Sequence, residues 1–283
     1  MKKARRKRRR RKNRNMTLGQ IQSKKQKNLD TIGEEFGKQV EESQNEVLPL
    51  IIALLALFSY DKNGNISFDT ANYARVNAFM DGVDGAVAGS KYFDALVFLM
   101  DKVDAQAELT REMYRKMGLN PDAVSGIDYE AQATSMLEDL TNFKSGFSTA
   151  LRNFILASIT SGSDRTTLEE GIAQIVKGGG GKKGLLFDTA TLTADTMLAV
   201  IDRSFTFAMG EALGIKKYLY AGGLINDSRP FCVARDGKVF TKEEVRSWGK
   251  LGDWKGKIVG TDESTIFIYL GGYRCRHWLV PQV

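Results

Sequence analysis

The sequence predicts a mainly helical protein: an N-terminal helical bundle, then a small C-terminal α+β module, preceded by a disordered basic arm. Three observations carry that prediction. Apolar residues recur at spacings of three and four over much of the chain. After Gly214 the period shortens to strand-like runs punctuated by turn dipeptides. Eleven basic side chains crowd residues 2–14 with no acid among them.

The arm comes first. It consists of Lys2, Lys3, Arg5, Arg6, Lys7, Arg8, Arg9, Arg10, Arg11, Lys12 and Arg14, in a segment expected to span residues 1–15. The chain as a whole carries 41 basic and 34 acidic residues, a net charge of +7; without these eleven, 30 basic residues face 34 acidic ones, about −4. A block of like charge repels itself and buries nothing, so it stays unfolded until a polyanion neutralises it. Nucleic acid is the first such partner, an anionic membrane surface the second, and a targeting or solubilising tail the bland alternative. The segment runs into polar TLGQIQSKKQKN, which has no apolar stretch of the kind a secretory signal needs.

Residues 16–160 read as an all-α domain. Leu29, Ile32, Phe36 and Val40 mark one face of a helix, and Pro49 then kinks that helix or opens the next one. The apolar run Val47–Phe58 would reach about 18 Å as a helix, short of the ~30 Å hydrocarbon core, so a buried helix is expected and a membrane partner is not. An interfacial segment is the alternative there, because the run is apolar all round. In YDKNGNISFD (60–69), Asp61, Asn63, Asn65 and Ser67 carry part of a calcium-loop pattern. Ile66 stands where an EF-hand needs glycine and Asn72 where it needs glutamate, so a turn at Asn63-Gly64 is expected. Ser90 is placed to cap a helix with Phe93, Leu96, Met100, Val103 and Ala107 inward and Gly118 beyond its end. Asn120-Pro121 opens another, and Met136, Leu140, Phe143, Phe147, Leu151, Phe154 and Ile155 stripe the next.

Residues 161–283 form the expected module. Thr167 with Glu170 suggests a capping box for a short helix through Leu168, Ile172 and Ile175. KGGGGKKG (177–184) lacks the spacing of a phosphate loop and reads as a loop. A long helix is expected from Thr191 to Leu213, stopped by Gly214. Beyond it, KYLYAGG and TIFIYL (265–270) read as strands, RPFCVAR and KVF as a hairpin around Asp236-Gly237, and Thr241 with Glu244 as a capping box for a helix ending near Trp248.

Chemistry has little to work with. There is one histidine, His277, and the carboxylates fall at helix caps and on helix faces, so no catalytic residues are expected. The two cysteines make no disulfide framework and suit a reducing compartment such as bacterial cytoplasm. Cys232, Cys275 and His277 could reach one zinc ion, but a fourth ligand is missing, with Asp236 the nearest acid in sequence. The expectation is therefore no metal and no cofactor, with both cysteines as small buried hydrophobes.

The order of pieces SDRTTLEEGIAQIV, DRSFTFAMGEALGI, KYLYAGGLINDSRP, FCVARDGKVF and GGYRCRHWLVP resembles the Mu F-like head morphogenesis family of phage minor capsid proteins. The resemblance covers roughly residues 161–283, and DSRPFC…DGKVF and GGYRCRHW are its most specific parts. It implies a structural, non-enzymatic protein made in the host bacterial cytoplasm and placed in the virion interior near the portal. The implied partners are packaged double-stranded DNA and the portal or major capsid protein, with self-association as a further contact. Many family members carry Cys-x-x-Cys and Cys-Arg-Cys; the corresponding pairs here are Cys232 with Arg235 and Cys275 with His277, so no complete cysteine set is carried over. A nuclease or toxin-type effector related to these modules, and a membrane-active ejection protein using residues 47–58, are the alternatives.

Overall fold

In a computed structural model, residues 16–124 and 146–283 are described. The arm and the stripe positions Met136, Leu140 and Phe143 lie outside the described residues. The fold is mainly α, with one small antiparallel sheet near the C-terminus. The helices are α1 (Leu18–Ala53), α2 (Thr70–Ala88), α3 (Lys91–Lys116), α4 (Gly146–Ser161), α5 (Arg165–Lys177) and α6 (Leu185–Ala212). Then follow β1 (Lys217–Ala221), α7 (Pro230–Val233), β2 (Val239–Thr241), α8 (Lys242–Ser247), α9 (Ile266–Tyr269) and β3 (Trp278–Gln282).

Two compact units emerge, and neither is a single stretch of chain. Among the described residues, one comprises 16–32, 100–124 and 195–283; the other comprises 33–99 and 146–194. The boundary expected at 160/161 falls inside the second unit.

In the second unit α4 packs on α2 and α5. Its core follows the heptad-like spacing of Phe36, Val40, Val47 and Ile51 from α1, Phe147, Leu151 and Ile155 from α4, and Leu168, Ile172 and Val176 from α5. Pro49 sits inside α1, not at its end. The run 47–58 is two-faced: Val47, Ile51, Leu55 and Phe58 are buried, whereas Leu50 and Leu57 are exposed. Among the described residues no helix is long and apolar enough to cross a membrane. On α3 it is Tyr92 that enters the core, edge-on to Phe36, while Phe93 is exposed. The turn at 60–66 spends its would-be cation ligands on backbone: Asp61 Oδ1 accepts from the N–H groups of Asn63 and Asn65. Gly64 supplies the positive φ of 82° at its tip. Buried Asn72 donates to the carbonyls of Ser59 and Ser67.

Helix α5 starts one turn earlier than the Thr167–Glu170 pattern suggests. Asp164 is its cap, accepting from both the N–H and the hydroxyl of Thr167. Helix α6 also starts early, at Leu185. Thr191 and Thr193 bond back to the carbonyls of Phe187 and Thr189, so their hydroxyls find partners within the helix.

In the first unit, α1, α3 and α6 bury a polar network instead of hydrocarbon alone. Lys25 Nζ pairs with Asp202 at 3.0 Å and donates to Thr110 and Thr206. Tyr114 donates to the Thr206 carbonyl at 2.5 Å. Gly214 ends α6 at φ 75° as predicted. β1 is the central strand of the order β2-β1-β3, pairing Tyr218 with Phe240 on one side and with Pro281 on the other. Two expected strands are short helices instead. Pro230 pre-sets the first turn of α7 across Phe231 and Cys232. TIFIYL coils as α9, which puts Ile266, Phe267 and Leu270 inward together. The Thr241–Glu244 capping box forms in both directions at the start of α8.

Candidate metal centre

The first unit brings Cys232, Cys275 and His277 together from three places: α7, the turn before β3, and the residue preceding β3. Their ligand atoms all lie within 4.8 Å of one another, and all three side chains are buried. The two sulfurs are 4.0 Å apart, and Cys275 Sγ is 4.0 Å from His277 Nδ1. Both cysteines are free thiols.

Local structure explains the convergence. The Cys232 N–H donates to the Arg229 carbonyl at the start of α7, and the Arg229 guanidinium donates to the Tyr273 carbonyl at 2.5 Å, tying α7 to the second segment. Arg203 of α6, itself buried, donates to the carbonyls of Ile268, Cys275 and His277, and so clamps that segment from beneath. Trp254 Nε1 donates to the Gly271 carbonyl while its ring stacks on Phe231. Gly271 is required by contact: a Cβ there would stand 2.6 Å from Cys232 Sγ and 2.9 Å from Cys275 Sγ.

The histidine ring meets Tyr220 and Asp236. Tyr220 stacks on its ring at 4.9 Å and donates its hydroxyl to Cys232 Sγ at 3.4 Å. Asp236 Oδ1 is 3.4 Å from His277 Nε2, close enough for an ion pair but not aligned as a hydrogen bond. The same carboxylate oxygen accepts from the Gly223 N–H at 3.2 Å. The Cys275 thiol is held well below its ordinary value, first by its hydrogen bond with Cys232 and further by the Arg203 guanidinium and His277. That same sulfur–sulfur bond, then burial, pushes the Cys232 thiol up.

Sequence had singled out all three donors and Asp236 but not their framing by Arg203, Tyr220 and Gly271. Arg235, which stands where the resembled family has a second cysteine, lies over the rings of Phe231 and Trp248 at 3.9 and 4.6 Å. The arm residues proposed for nucleic acid lie outside the described residues. No family model matches the chain, and no curated protein or solved structure matches it either.

Proposed function

We propose that the protein is a non-enzymatic minor head protein of a tailed bacteriophage, held inside the capsid near the portal. Its arm contacts packaged DNA, and its folded body assists head assembly or genome delivery. The observation that carries this reading is the segregation of charge: eleven positive side chains in residues 2–14 on a body of about −4. Such an arm binds a dense polyanion without reading sequence, because guanidinium groups grip phosphates. The order of motifs in residues 161–283 supports the phage setting.

Duplex binding by the full chain and by a variant lacking residues 2–14 tests the reading. Binding releases counterions, so log K should fall by roughly 0.9 per phosphate neutralised as log salt rises. With six to eight contacts, affinity should drop about a thousandfold or more between 50 and 200 mM salt. The truncated chain should bind weakly or not at all. Affinity within about threefold of the full chain, ~0.65 kcal/mol, would place binding on the body and sink the proposal. Mass spectrometry of purified virions gives the location; a protein found free in the cytoplasm and missing from particles refutes the virion role.

A further inference from the structure

We infer that Cys232 Sγ, Cys275 Sγ and His277 Nδ1 form a binding site for one soft divalent cation, zinc, with Asp236 orienting the histidine as a positioning residue. The inference is independent of the arm and of the virion setting.

Donor chemistry comes first. Two thiolates and an imidazole are a set that zinc accepts and that hard, oxygen-seeking cations do not. Geometry follows. With bonds of about 2.3 Å to sulfur and 2.0 Å to nitrogen, tetrahedral ligand atoms sit roughly 3.5–3.8 Å apart. The observed sulfur–sulfur separation and the Cys275–His277 separation are both 4.0 Å, and all three ligand atoms lie within 4.8 Å of one another, so contraction by at most about 1 Å closes the site. A disulfide would need the sulfurs at about 2.05 Å, a far larger movement.

The surroundings match what a metal-bound histidine requires. With the metal on Nδ1, the Nε2–H points towards Asp236 Oδ1 at 3.4 Å. A carboxylate behind the histidine fixes its tautomer and raises its basicity. In the structure that buried Nε2 has no aligned hydrogen-bond partner, and coordination at Nδ1 would turn the contact into one. Gly271 keeps the space between the sulfurs free of a side chain. Three protein donors would leave the fourth position to a water, while the Tyr220 hydroxyl, 3.4 Å from Cys232 Sγ, donates to one of the sulfur ligands. All three ligands are buried, so the metal would act as a cross-link between α7 and the segment leading into β3.

The test uses the full chain, stripped with chelator under reducing conditions and titrated with zinc chloride or cobalt chloride alone. Expected are one zinc per chain, a near-ultraviolet cobalt–thiolate band and a lower melting temperature after chelation. Cys275→Ser should abolish the band. Should that variant fail to fold, Asp236→Asn decides, because it spares all three ligands: it should keep stoichiometric zinc but lose about 10–100-fold in affinity. Substoichiometric zinc, no cobalt–thiolate band and an unchanged melting temperature would overturn the site. So would a Cys232–Cys275 disulfide that persists under those reducing conditions.

Discussion

The Lys25 ammonium lies 3.0 Å from the Asp202 carboxylate, and both side chains are at most 5% exposed. An ion pair so deep is expensive to desolvate, and its members depend on each other. Thr110 and Thr206 complete the lysine's shell, and the Gln106 side chain donates to the Lys25 carbonyl.

Removing one member should therefore cost more than removing both. Lys25→Ala is expected to destabilise by about 3–5 kcal/mol, because it strands a buried carboxylate. Lys25→Met combined with Asp202→Leu should recover most of that loss. Urea unfolding of the two variants checks it, and equal losses would show that the pair is not coupled.

The loop at 260–265 has a pH signature. Asp262 accepts from the Ser264 hydroxyl and N–H and from the Thr265 N–H, which holds its carboxyl at about 2, below the ordinary 3.8. A depressed carboxyl stabilises the folded state above about pH 4 and loses that contribution as pH falls through 2. Carbon-detected NMR titration should find the midpoint near 2. Ser264→Ala should move it back up.

The capping box of α8 is open to a direct measurement. Thr241→Ala removes the hydroxyl that receives the Glu244 N–H, while the reverse bond from the Thr241 N–H to Glu244 can persist. A loss of about 1 kcal/mol is expected in thermal unfolding. No change would mean that the helix is held by the burial of Val245 and Trp248 alone.

Gly271→Ala tests how tightly the cysteine cluster is packed. The added methyl would meet both sulfurs at under 3 Å. Overpacking of this kind costs about 1–3 kcal/mol, read as a lower denaturant midpoint. A neutral outcome would mean that the two segments part easily.

The long helices were legible because burial of one face imposes the 3.6 period, as at Ile32, Phe36 and Val40. Short elements were not. TIFIYL has the β-branched and aromatic content of a strand, yet tertiary burial of Ile266, Phe267 and Leu270 on one side favours a helical turn. Thr167 does not cap α5, because Asp164, three residues earlier, accepts from both its N–H and its hydroxyl. Tyr92 and Phe93 are adjacent aromatics, and only packing against Phe36 decides between them.

The candidate site was half legible. Cys275 and His277 are two apart in sequence, and Asp236 was the nearest acid in sequence. Cys232 is 43 residues from Cys275, so spacing alone says nothing about whether they meet. Arg203 reaches the cluster from 72 residues away through backbone carbonyls, which leave no trace in residue identity.

The interleaved make-up of the two units has a consequence in time. Lys25 leaves the ribosome early, yet Thr206, one of its hydrogen-bond partners, follows 181 residues later. At about 5–20 residues per second that gap is roughly ten to forty seconds. Throughout it the Lys25 ammonium lacks Asp202 and Thr206, the partners with which it is buried in the folded unit, and stays hydrated. The second unit, whose last segment ends at residue 194, can close before the first has all its strands.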